Sequence, residues 1–262
     1  LNRGISFVSG WRKELESGHS LESGAIRFNP AAMSPEHPAP PEIDHRGWLQ
    51  IENQGSEGSC SGHMTSSILE TCNYIQTGGS IIQLSRMYAY LAGQQEAGLL
   101  GYDQGCSIEG VIRAAQKRGI PQEVTFPYTG TYSTTIPAAA DAEASQHKLR
   151  NYSVMQSERD VFAFQSLGIG GNALGIPWTE RLAESSGVIE PADADQCNSE
   201  LLGWHAVPVI GYSTRKARDG RNYFWLPNSH GRRWANNGWA EVSPFTMDYW
   251  FAIRCVILGV SD

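Results

Sequence analysis

No apolar run in the 262 residues approaches the roughly 18 that a membrane span requires, so a membrane protein is not expected. Positive charge is in deficit: 20 Lys and Arg stand against 27 Asp and Glu, leaving −7. A broad electrostatic hold on nucleic acid is thereby excluded. Neither Cys-x-x-Cys nor His-Glu-x-x-His occurs, which removes the common zinc scaffolds; no metal and no cofactor is expected. No unit repeats along the chain, so a solenoid is not expected. The start lacks the basic, apolar and small-residue regions of a secretory signal, and a soluble protein is expected. Cysteine is scarce at five, and an odd count leaves at least one thiol outside any bridge. What remains is a globular composition, 40% hydrophobic and 18% charged, long enough for one large domain or two sharing a face.

Residues 1–41 differ from the rest, with polar stretches, Asn29-Pro30 and a Pro-rich run from Pro35 to Pro41. They read as an arm lying on a surface and ending in an extended linker. Helical periodicity follows over 59–119. Met64, Ile68, Cys72 and Ile75 share one face, and Gly78-Gly79 stops that helix. A second helix is expected from Ser85 to about Gln95. A third starts at Ser107 with Ile108, Val111, Ile112 and Ala115 inward, and ends at Gly119. From about residue 149 strands dominate: Ala206–Tyr212, Asn222–Leu226 after an Asp219-Gly220 turn, Trp239–Val242 and Phe251–Leu258. Gly168–Gly171 lacks the Lys-Ser/Thr of a phosphate loop and reads as a turn. Helices first and strands later imply an α+β fold in two lobes, 42–148 and 149–262, with a cleft between them.

The segment Gln54 to His63 loosens the backbone with Gly and Ser just before a helix begins at Cys60. A thiol at a helix N-terminus meets the positive dipole end and unpaired N–H groups, both of which favour thiolate. Gly203-Trp204-His205-Ala206-Val207 sets a histidine at the mouth of an apolar strand, and Asn228 follows in Pro227-Asn228-Ser229-His230-Gly231. A cysteine nucleophile needs a base, and the base needs an orienting partner. Cys60, His205 and Asn228 supply these in order, the first two separated by an offset of 145, a spacing found in one class of cysteine peptidases. His63, one turn after Cys60, is a rival base or metal partner, but its direction along the helix is wrong for a cleft.

These segments resemble the papain family of cysteine peptidases. Its Gln-to-Gly-Ser-Cys motif matches Gln54 through Cys60. Its His motif matches His205-Ala206-Val207 with Gly211-Tyr212, and its Asn motif matches Asn228-Ser229-His230-Gly231 with Trp234 to Trp239. Gly105 to Tyr128 is similar as well, so the resemblance runs over about residues 42–258. It implies a papain-like two-lobe α+β fold with a helical N-terminal lobe and an antiparallel β-barrel-like C-terminal lobe. It implies a thiol endopeptidase without cofactor, acting on a peptide or protein substrate. Cys60 would be the nucleophile, His205 the base, Asn228 its orienter, and Gln54 an oxyanion donor together with the Cys60 backbone N–H. Gln104 and Gly105 match the stretch that pairs with substrate backbone. Trp204 would shape a restricted side-chain pocket, and Trp234 would line the cleft on the leaving-group side. Residues 1–41 would serve either as a self-inhibiting proregion remnant or as a brace between lobes.

Three departures stand out. Glu57 occupies a position where plant and lysosomal members have a bridging cysteine. Ser61 follows the nucleophile instead of an aromatic, as in bacterial and viral members, and points to a bacterial or viral origin. His230 replaces the tryptophan that shields the Asn–His hydrogen bond, so a shifted pH profile is expected. Two other functions fit the same residues: a non-catalytic structural or binding member, such as a virion component, and an amidase or peptidoglycan endopeptidase. Once Cys60 is assigned to chemistry, Cys72 and Cys255 are expected as buried free thiols.

Overall fold

The computed structural model describes residues 10–13, 26–29 and 38–261. The remainder of the arm assigned to 1–41 lies outside the described residues. In chain order the elements are β1 (Ile26–Arg27), α1 (Cys60–Gln76), α2 (Arg86–Glu96), α3 (Ile108–Lys117), α4 (Ala138–Glu143), β2 (Asn151–Val154), α5 (Glu158–Ser166), β3 (Gly170–Thr179), α6 (Glu180–Ala183), β4 (Val188–Ile189), α7 (Pro191–Ala194), β5 (Leu201–Val209), β6 (Tyr212–Lys216), β7 (Asn222–Pro227), β8 (Trp239–Val242), α8 (Pro244–Ala252) and β9 (Val256–Ser261).

The first three helices follow from their caps and stripes. The side chains of Ser85 and Ser107 accept from the N–H groups of Tyr88 and Gly110, both at 3.0 Å. Ile108, Val111, Ile112 and Ala115 are all buried, as the periodicity requires. Helix α1 runs through the interior, with Met64, Ile68 and Cys72 in the same core as α2, α3 and the sheet residues Ala173, Ala206, Leu258 and Val260. Between α1 and α2 the buried Arg86 guanidinium sits 2.9 Å from Glu70 and 3.2 Å from Glu52, anchoring the segment that leads to the nucleophile loop. Burial raises the Glu70 carboxyl to about 7.

Five strands form one sheet in the order β1-β2-β9-β3-β5, and four form a second in the order β4-β8-β7-β6. Among the described residues they do not close into a barrel. Strand β3 pairs antiparallel with β5 and β9, so residue 175 lies in one cross-strand row with Ala206 and Val256. One face of this sheet covers the helices; the other packs with α5, α8 and the second sheet around Leu174, Ile176, Phe224 and Trp250. All five cysteines are free thiols, only Cys197 being exposed. No helix among the described residues is long and apolar enough to cross a membrane.

Two strand expectations change, and Gly170 and Gly171 open β3 instead of completing the expected turn. Phe251–Leu258 is not one strand. Ser243 caps α8 by accepting from Thr246 N–H at 3.1 Å, Pro244 suits the first turn, and the helix runs to Ala252. Arg254 then turns the chain at φ 58° before β9. The strand expected from Ala206 is longer and breaks earlier: β5 starts at Leu201 and ends at Val209, and Gly211 at φ 89° separates it from β6. The Asp219-Gly220 turn does join β6 to β7.

Candidate active site

Cys60 is the first residue of α1, as expected, and the loop before it is tied down from three sides. Gln54 N–H donates to the Ser229 carbonyl at 2.8 Å, and Gln54 Oε1 accepts from the Ser229 hydroxyl at 2.5 Å. Gln54 Nε2 donates to the Glu57 carbonyl at 2.7 Å. Tyr128 O–H reaches the Gln54 carbonyl at 2.9 Å. The third tie is Asp103, whose carboxylate accepts from Gly58 N–H at 3.0 and 3.2 Å and from Tyr90 O–H at 2.8 Å. Asp103 thus fastens the loop that leads to Cys60 to the 103–106 segment, next to Glu57. Nothing in the sequence around Asp103 signals this. Glu57 is itself buried, which raises its carboxyl.

Strand β5 delivers His205 to the same place. His205 Nε2 lies 2.8 Å from Asn228 Oδ1, which also accepts from Ser229 N–H at 2.8 Å. Asn228 Nδ2 donates to His230 Nδ1 at 3.3 Å. The amide orientation is therefore set: Asn228 presents oxygen to His205, Nε2 carries the proton, and Nδ1 is the basic nitrogen. The His230 ring stacks on His205 at 4.7 Å between centroids, and Trp178 packs 4.7 Å from His205 and 5.0 Å from His230. The aromatic cover is thus a histidine plus Trp178, a residue that sequence reasoning did not single out. Trp234 is buried behind Trp178, its indole N–H donating to the Leu182 carbonyl at 2.8 Å. His63 Nδ1 lies 3.1 Å from the Ser59 carbonyl, and its ring packs against Tyr128 at 4.6 Å. It is a buried neutral imidazole, held down to about 3 by burial.

The Cys60 sulfur accepts from Ala206 N–H at 3.4 Å, so the strand carrying His205 touches the candidate nucleophile directly. Cys60 and His205 are both fully buried, and both are held neutral. Burial pushes the thiol up to about 12 and keeps His205 well below its ordinary value, with His230 adding to the second effect.

The cover is the arm itself. Cys106 N–H donates to the Gly10 carbonyl at 2.9 Å, and Arg12 N–H donates to the Cys106 carbonyl at 3.2 Å, so Trp11 bridges Cys106 in parallel register. Trp11 N–H reaches the Trp204 carbonyl at 3.4 Å, and Arg12 Nη1 reaches the Gln104 carbonyl at 3.1 Å. Gly105 approaches so closely that a Cβ there would lie 2.4 Å from the Gly10 carbonyl oxygen, and at φ 80° it suits only glycine. Gly10 rests on Cys60: a Cβ on it would lie 2.6 Å from Cys60 Sγ and 2.5 Å from the Gly58 carbonyl. The residues expected to meet substrate, Gln104, Gly105 and Trp204, are those that hold the arm.

His230 gives a pH test. Burial keeps it neutral down to about 4, whereas an unfolded histidine protonates near 6.5. Between those values the unfolded chain binds one more proton, so stability falls as pH drops through that window, by up to about 1.4 kcal/mol per pH unit for this group. His230→Trp is expected to flatten the dependence of the denaturant midpoint on pH between 4 and 6.5, and to alter the acid limb of the pH–rate profile.

A cysteine at a helix start, a histidine oriented by an asparagine on the facing strand, and two lobes meeting between them define a thiol-nucleophile class of protein. The comparisons agree. The model of the papain family cysteine proteases matches residues 39–249, and the chain belongs to that family. It is 27% identical over 251 residues to the probable cysteine protease RD19B of Arabidopsis thaliana, covering 88% of this chain and 66% of that protein. The chain therefore spans just under two thirds of that relative's length. Among solved structures it superposes on xylellain, a cysteine protease from Xylella fastidiosa, with TM-score 0.77 at 18% identity, covering 100% of this chain and 98% of that one. It also superposes on a digestive procathepsin L 3 of Tenebrio molitor, with TM-score 0.71 at 17% identity, covering 98% and 78%.

Proposed function

We propose that this chain is a papain-like cysteine endopeptidase held latent by its own N-terminal arm. The observation that carries the activity is the 2.8 Å bond from His205 Nε2 to Asn228 Oδ1 on a strand whose next N–H contacts Cys60 Sγ. A base in a defined tautomer beside a helix-start thiol is what thiol acyl transfer requires. Once the arm is displaced, the Cys60 proton passes to His205. The thiolate attacks the substrate carbonyl carbon, and negative charge collects on its oxygen. The second Gln54 Nε2 hydrogen and the Cys60 backbone N–H stabilise that charge. The carbon–nitrogen bond breaks as His205 protonates the leaving amine. Water, deprotonated by His205, then attacks the thioester; the carbon–sulfur bond breaks and the thiolate returns. Gln104, Gly105 and Trp204 face the acyl side of the substrate, and Trp234 backs the His205 side of the cleft.

Latency is supported by the way the arm is held. The Gly10 carbonyl is engaged by Cys106 N–H, and its amide N–H faces the sulfur. Its carbonyl oxygen is therefore turned away from the oxyanion donors, and the Gly10–Trp11 bond is masked without being presented for attack. That one superposed structure is a procathepsin fits the same reading. The test is hydrolysis of casein or a dipeptide fluorophore by the full chain carrying Trp11→Ala, against the same chain with Cys60→Ala. Activity is expected to fall to the uncatalysed background in the second. Hydrolysis that persists without Cys60 would sink the peptidase reading, and cleavage of cell-wall cross-links alone would favour the amidase reading.

A further inference from the structure

Resting on the peptidase reading, we propose that His63 is a positioning residue for Asn228, acting through one buried water that the two side chains hold between helix α1 and the end of strand β7. The ring is fixed by its own helix. His63 Nδ1 lies 3.1 Å from the Ser59 carbonyl one turn back, and a carbonyl can only accept, so Nδ1 carries the proton. The same carbonyl accepts the His63 backbone N–H at 3.1 Å. Because burial keeps the ring neutral, Nε2 is a bare acceptor. It is enclosed, the residue being 3% exposed, and it meets no donor of the protein. An unmet buried acceptor is destabilising, and native interiors satisfy nearly all of theirs.

A donor has room there. A cavity of about 10 Å³ is bordered by Glu52, His63, Ser67, Asn228 and Ser229. That is about the space one water needs, and polar walls hold a water where apolar walls would leave the space dry. Asn228 offers the matching group. Its amide nitrogen has two hydrogens; one goes to His230 Nδ1 at 3.3 Å, and the other is available to a water oxygen. The amide oxygen is already committed to His205 Nε2 and Ser229 N–H, both at 2.8 Å. A water that donates to His63 Nε2 and accepts from Asn228 Nδ2 joins the two, with Ser67 and Ser229 beside it to take its second hydrogen. The effect is on orientation. The contact to His230 is the longest of the three that hold the amide, so a second acceptor on the nitrogen side disfavours the flip that would turn NH2 toward His205. Helix α1 begins at Cys60, so the link also ties Asn228 to the helix that carries the thiol.

The test uses the full chain. Magnetic relaxation dispersion of water oxygen counts long-lived internal waters, and His63→Phe is expected to hold one fewer than the wild type. An unchanged count would overturn the proposal. The opened cleft of the Trp11→Ala chain gives the second readout. There His63→Phe is expected to lower kcat/KM for peptide hydrolysis about tenfold, mainly through kcat, and to raise the pH midpoint of Cys60 alkylation. Two amides divide the ring between them: His63→Gln places a polar atom near the Nε2 position, and His63→Asn places one near Nδ1. Gln should restore the midpoint and most of kcat, and Asn should not. Restoration by Asn, or by neither, would show that the ring serves the Ser59 carbonyl or the packing, and would overturn the proposal. In a chain already carrying Asn228→Ala, His63→Phe should move the midpoint no further, because its route runs through that amide; additive movement would overturn it as well. If no peptide is cleaved while the water count and the midpoint behave as stated, the peptidase reading fails and the role of His63 stands.

Discussion

Trp11→Ala is expected to turn an unreactive thiol into a reactive one, raising the rate of Cys60 alkylation by iodoacetamide at neutral pH by about three orders of magnitude. Two effects combine. Removing a buried indole costs the docked arm about 3–5 kcal/mol, enough to shift its docking equilibrium by between about a hundredfold and a few thousandfold. Opening the cleft then returns water to the thiol. Burial holds it at about 12, where roughly one sulfur in 10⁵ is ionised at pH 7, against a few per cent for an ordinary thiol. Peptide mapping separates Cys60 from Cys197, the exposed thiol that reacts in either form. Gly10→Val should act in the same direction, since a side chain there meets Sγ and the Gly58 carbonyl. A Cys60 equally inert in wild type and both variants would show that the arm is not what silences it.

The candidate site was legible where it constrains residue type at short range. Gln54, Cys60, His205 and Asn228 sit in motifs whose glycines, helix start and strand mouth are local features. The helix caps at Ser85 and Ser107 were readable for the same reason. Strand β3 was not, because it is buried on both faces and so lacks alternation. The latch was illegible for a different reason. Trp11 follows Ile5, Phe7 and Val8 without a periodic pattern to mark it, and the segment that the arm docks on signals by lacking a side chain at Gly105. Sequence reasoning registers residues that are present; here the information lies in two glycines, 10 and 105, each defined by an atom that would collide. His230 was visible as a departure, but its role as acceptor for Asn228 required the geometry. Asp103 was missed because a carboxylate capping a distant loop N–H leaves no local pattern.

His205→Ala in the Trp11→Ala chain carries the largest expected loss. The kcat/KM for peptide hydrolysis should fall by about a thousandfold or more, because in the proposed mechanism one residue serves as base for the thiol, acid for the leaving amine and base for water. The alkylation of Cys60 adds a signature that misfolding would not reproduce. With the cleft open, the imidazolium formed at His205 favours the thiolate, so the pH at which reactivity rises should lie below the ordinary thiol range near 8.5. Without His205 the helix start is the remaining local aid, and the midpoint should move upward to about 8.5 or higher. Asn228→Ala should produce a smaller loss and a smaller upward movement, since the imidazole remains but its tautomer and orientation are no longer set by the 2.8 Å bond. A midpoint unmoved by His205→Ala would mean that the thiol is ionised by its helix alone, and that the histidine acts only after acylation.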